Sequence, residues 1–114
     1  MPKAYFAEFV DTTTGSRHNK FGHTGHNDAQ KRLNRITEEY PHFTARVLAS
    51  VYHHDLEKVI EIEERYKSKY PKNFWLKEKL SGITECVKLE YEVRNNIIQE
   101  FRTLNETTKK ELFG

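Results

Sequence analysis

The sequence has little of what would settle its class at a glance. There is one cysteine, Cys86, in 114 residues, so no internal disulfide can form and the chain has to stand on a packed core. Lys and Arg number 19 against 17 Asp and Glu. That balance is too even for nucleic acid to be bound through bulk charge, and any such binding has to come from a local basic surface. No run approaches the ~20 apolar residues needed to cross a bilayer, and the six histidines never fall into a zinc-finger spacing. The opening MPKAYFAEF lacks the charged-then-apolar order of a secretory signal, so a cytoplasmic protein without a membrane partner is the expectation. Internal repeats and low-complexity stretches are absent as well. With 36% apolar residues, the length suits one domain around one modest core.

What is there is a succession of short strand and helix signals. Residues 4–10, AYFAEFV, are aromatic and β-branched and predict a strand; the polar, Gly-containing DTTTGSRHN turns the chain back. KFGHT, residues 20–24, predicts a second short strand in which Gly22 marks a close approach of backbone or ligand. Asn27 or Asp28 can cap a helix running to about residue 38, because an Asx oxygen accepts from the unpaired amides of a first turn. Within it Ala29, Leu33 and Ile36 repeat at helical spacing. Tyr40-Pro41 ends that helix, since a residue before proline avoids the helical region. ARVLASVYH predicts a third strand on the alternation of Val47, Ala49 and Val51. From Asp55, an expected N-cap, DLEKVIEIEERYKSKY predicts a second helix up to Pro71. Beyond the basic, aromatic KNFWLKEKLSG, the segment ITECVKL alternates as a short strand. From Leu89 onward Val93, Ile97, Phe101 and Leu104 form one stripe of an amphipathic helix, which packs on the domain or docks on a partner, a second copy of the chain included.

The fold expected is α/β in the broad sense and α+β in detail: a small, mainly antiparallel three-stranded sheet flanked by helices, with an extra short strand and a C-terminal amphipathic helix. Residues 1–88 would form the domain and 89–114 a helical extension packed on it.

One acid stands where an apolar residue belongs. On the second helix Leu56, Val59, Ile60, Tyr66 and Tyr70 share a stripe, and Glu63 lies at its centre, whereas Glu57, Glu61 and Glu64 fall on the solvated side. A carboxylate turned toward the sheet has to be paired or bind a cation, because a lone buried charge costs several kcal/mol. An ion pair with Arg32, Lys20 or another base on the facing elements would satisfy it equally well.

The N-terminal half resembles the GIY-YIG nucleases over roughly residues 4–74. The likeness is carried by AYFAEF, by KFGHTGHNDAQKRL and by VIEIEERYKSKYPKN, and LSGITECVKL resembles the short strand that follows the catalytic helix in small phage-type members. The resemblance implies a metal-dependent DNA endonuclease that hydrolyses phosphodiester bonds. It puts Tyr5 in the place of the first motif's tyrosine, with Phe6 as the one-residue alternative. Lys20-Phe21-Gly22 takes the second motif, so that lysine replaces its tyrosine. Arg32 matches the helix arginine that grips phosphate and Glu63 the metal-binding glutamate, for Mg²⁺ or Mn²⁺, with His23 next to the glycine as a further phosphate contact or proton carrier.

Such hydrolysis needs a nucleophilic water, charge stabilisation on the phosphoryl oxygens and help for the departing 3′ oxygen. Arg32 is suited to the phosphate, and Tyr5 or Lys20 to orienting water or taking its proton. The expected DNA surface comprises Lys31 and Arg35 beside Arg32, with Lys67, Lys69, Lys72, Lys77 and Lys79; Tyr70, Phe74 and Trp75 could stack on bases. Two other readings stay open. One is a catalytically inactive DNA-binding regulator derived from such a nuclease; the other is an interaction protein acting through its C-terminal helix.

Overall fold

The computed structural model describes residues 2–25, 29–71 and 86–113, apart from the side chains of Arg32 and Ile36. Its elements follow the chain as β1 (Lys3–Asp11), β2 (Arg17–Thr24), α1 (Ala29–Glu39), β3 (Phe43–Tyr52), α2 (Leu56–Lys69) and α3 (Tyr91–Phe113). The strands form one antiparallel sheet in the order β2-β1-β3, an α+β arrangement.

The β1–β2 hairpin is tighter than its composition suggests. The Asp11 carboxylate accepts from the backbone N (2.9 Å) and the hydroxyl (2.6 Å) of Thr13, and Gly15 takes φ 74, which side-chain-bearing residues rarely adopt. With the reversal finished by Ser16, Arg17, His18 and Asn19 are strand residues opposite Val10, Phe9 and Glu8, where a loop had been expected. A polar stretch was read as one turn, although only its first half is needed to make it.

Ala4 and Phe6 of β1 point into a core shared with α2 and α3, while Tyr5, Ala7 and Phe9 point into a second core beneath α1. Strand β3 changes sides part-way along. Phe6 pairs with Ala49 but Ala7 with Val47, so Leu48 is an extra residue at a bulge. Phe43, Ala45 and Val47 therefore line the α1 side, and Ala49 and Val51 the opposite one. The alternation expected to put Val47, Ala49 and Val51 on one face is broken there, because one inserted residue inverts a period of two.

The outer edge of β3 is closed by side-chain amides. Gln30 of α1 donates to Ala45 O and accepts from Val47 N, each at 2.9 Å, and Asn105 of α3 accepts from Tyr52 N at 3.1 Å. Backbone groups that would otherwise invite another strand are satisfied, and both helices are fixed to the sheet.

Asp55 caps α2 through its carboxylate on Glu57 N (2.9 Å). The helix buries Val59, Ile62, Glu63 and Tyr66, so its inner stripe is rotated from the expected one: Ile62 joins it, and Leu56, 43% exposed, does not. On α3, Ile97 and Phe101 are buried with Val93 and Leu104 packed beside them, so the stripe is used within the domain. Of ITECVKL, the last four residues, Cys86 to Leu89, are described; Val87 exchanges two 2.9 Å backbone hydrogen bonds with Asn19 on the free side of β2. The expected strand is a two-residue bridge among the described residues. No helix among them is long and apolar enough to cross a membrane.

Candidate active site

Glu63 lies where periodicity put it. Its carboxylate is 8% exposed, and cationic or polar groups from two elements reach it. Lys67, one turn on along α2, places Nζ 2.8 Å from Oε1; His23, near the end of β2, meets Oε2 through Nδ1. Its partners among the described side chains include His23, a base on the facing strand, and Lys67 of its own helix. Both are partly exposed, at 39% and 43%, so the carboxylate is buried while its partners face water.

The residue before His23 explains its glycine. Tyr5 and Gly22 are cross-strand partners, and a Cβ on Gly22 would lie 2.5 Å from both Cζ and the hydroxyl of Tyr5. The phenol ring covers the bare Cα of Gly22, which a larger residue would forbid. Gly22→Ala is expected to cost about 1–3 kcal/mol in urea unfolding, because a ring 1% exposed has no room to retreat. A loss below about 0.5 kcal/mol would show that the strands open there easily.

Tyr5 and Glu63 belong to opposite sides of the sheet. The tyrosine packs with Ala29 and Leu33 of α1, while α2 packs against Phe6 and Phe21. Gly22 and His23, consecutive on β2, serve one side each: Gly22 lies under Tyr5 and His23 meets Glu63. Arg32 stands on α1 two residues after the anchored Gln30; its side chain is outside the described residues. Lys20 lines a cleft of about 230 Å³ together with Asn19, Phe21, Lys67, Tyr70 and Cys86, so Lys20 and the lysine on Glu63 share one cavity. Burial pushes the Cys86 thiol up to about 11, against the opposing pull of Lys20. Iodoacetamide at pH 8 should accordingly label Cys86 only on unfolding; rapid labelling of the native protein would contradict this burial.

Lys31 and Arg35 are exposed on α1, as are Lys67 and Lys69 on α2, with Lys69 5.5 Å from the Tyr70 ring centre. Lys72, Lys77, Lys79, Phe74 and Trp75 lie outside the described residues. Tyr66 is a core residue: burial, then the negative charge of Glu100, push its phenol up to about 12. Among the described residues no group of three His, Cys, Asp or Glu gathers as a metal site. Glu63 offers one hard oxygen donor group, paired in this structure with His23 and Lys67.

A second charged cluster escaped the sequence reading. Glu8, 3% exposed at the middle of β1, accepts from Arg94 Nε at 3.0 Å and Nη2 at 3.1 Å, and Arg17 and Arg46 each approach Oε2 at 3.5 Å. Only the alternation of AYFAEFV hinted at it, by putting Glu8 in phase with Ala4 and Phe6.

Compared with family models, with curated proteins and with solved structures, the chain matches none.

Proposed function

We propose that the chain is a metal-dependent DNA endonuclease acting at the Glu63 corner of the sheet. The observation that carries this reading is a carboxylate only 8% exposed, drawn to a histidine that follows the tyrosine-covered Gly22. Burying an acid at the centre of a helix's inner face is costly, and a cation-seeking site next to the cleft that Lys67 lines gives that placement a purpose.

In this reading Glu63 would hold Mg²⁺ or Mn²⁺, the exposed Lys67 ammonium being free to turn to water. Such an ion would supply charge stabilisation at the phosphoryl and departing oxygens. His23 takes the proton of the attacking water: Glu63 engages Nδ1 and orients the ring, which leaves Nε2 as the accepting nitrogen. This role, expected of Tyr5 or Lys20, is given to His23; the 1% exposure of Tyr5 fits it to shaping the end of β2. Arg32 is assigned to the phosphate from α1, on the other face of the sheet from α2, and Lys20, Lys31, Arg35, Lys67 and Lys69 draw in the backbone.

Supercoiled plasmid incubated with purified protein is expected to become nicked or linear with Mg²⁺ or Mn²⁺ and to stay intact with EDTA. Intact plasmid under every metal condition would overturn the reading. A second reading is favoured by the pairing of both Glu63 oxygens within the protein: a DNA-binding regulator on a nuclease-like frame. It gives salt-sensitive binding of the same plasmid with no cleavage.

A further inference from the structure

The cluster around Glu8 holds more positive charge than it needs. Arg94 alone satisfies the carboxylate through two hydrogen bonds, and its remaining nitrogen donates to Asn95 at 3.0 Å. Arg17 and Arg46 add two further cations, brought from β2 and β3 on either side of β1 to one oxygen, at contacts too long to be strong hydrogen bonds. Both are about two-thirds exposed, where such pairs stabilise little, and they repel each other and Arg94. Three guanidiniums around one carboxylate leave two excess positive charges facing solvent. A planar, fixed set of N–H donors of this kind matches the oxygens of a phosphoryl group.

Beside it lies a cavity of about 550 Å³ lined by Glu8, Arg17, Asn19, Leu89, Tyr91 and Arg94. Tyr91 is 73% exposed on its rim, with Arg94 5.8 Å from the ring centre. An exposed aromatic ring beside an anion site is the pairing used to hold a nucleotide, phosphate on the cations and base on the ring. Asn19 lines this cavity as well as the Lys20 and Lys67 cleft, so the two sites adjoin along β2.

We infer that this is a nucleotide-binding subsite, with Arg17 and Arg46 on the phosphoryl group and Tyr91 against the base. None of its residues belongs to the Glu63 corner, so it holds equally for a nuclease and for a regulator. The nucleotide is supplied either by a nucleic-acid strand or as a free mononucleotide.

The test is fluorescence anisotropy of labelled oligo(dT) and of labelled thymidine monophosphate, with EDTA present so that cleavage plays no part. Arg17→Ala/Arg46→Ala, exposed positions whose loss leaves the fold intact by circular dichroism, is expected to weaken binding at least ~10-fold. For the strand, the slope of log K against log salt should fall by roughly 0.7 for each phosphate contact removed. Tyr91→Ala should weaken both probes several-fold while leaving the salt slope unchanged, which a purely electrostatic surface would not show. Loss with oligo(dT) alone assigns the subsite to a strand; loss with the mononucleotide as well assigns it to free nucleotides too. Unchanged affinity in the double variant, or no binding of either probe by the parent protein, overturns the inference.

Discussion

Glu63→Gln is expected to reduce metal-dependent plasmid cleavage by on the order of 10³ or more while leaving the protein folded. The substitution keeps the volume of a side chain 8% exposed and removes only its charge. Its partners can then turn to water, because His23 and Lys67 are both partly exposed, so stability should change by no more than about 1 kcal/mol. That separation makes the result informative: a variant with an unchanged urea midpoint and no cutting has lost chemistry, not structure. Arg32→Ala should be equally inactive, and Arg32→Lys should not restore activity, because an ammonium cannot reproduce the two-pronged grip of guanidinium on phosphate. His23→Ala should lose about 10²-fold or more if imidazole takes the proton. Cutting by purified Glu63→Gln within tenfold of the parent would remove Glu63 from the mechanism altogether.

How far the sequence could be read depended on the range of the interaction that decided each feature. The cap at Asp55 and the end of α1 before Pro41 are set by neighbouring residues, and they were legible. Glu63 was legible too, since a helix's 3.6-residue period places a side chain without knowing what it faces. Its partners were not. His23 lies 40 residues away on a strand, and only the folded register brings its ring to that carboxylate. The bulge at Leu48 was hidden for a related reason: nothing in ARVLASVYH distinguishes an inserted residue from a paired one until β1 lies beside it. The three arginines on Glu8 come from β2, β3 and α3, and a charge gathered across such separations leaves no local pattern.

That gathered charge gives the largest expected effect on stability. Glu8→Ala should cost about 3 kcal/mol, because Arg94, 15% exposed, would lose both hydrogen bonds and stand as a largely buried cation beside two others. Arg17→Ala and Arg46→Ala should each cost under about 1 kcal/mol, since those side chains already face water. The contribution is also set by pH. Burial pushes the Glu8 carboxyl up, but the hydrogen bond and charge of Arg94, followed by the charges of Arg17 and Arg46, more than offset it and hold the group below the usual 4.5. A carboxyl whose folded value is depressed binds its proton less readily folded than unfolded, so its stabilisation is complete above 4.5 and fades as the pH falls through the lower folded value. The stability difference between the parent and Glu8→Gln, a change that keeps the volume, should therefore be constant from pH 7 down to about 4.5 and shrink below it. A difference that persists unchanged to the acid unfolding limit would mean that the shape of the side chain at this position matters and its charge does not.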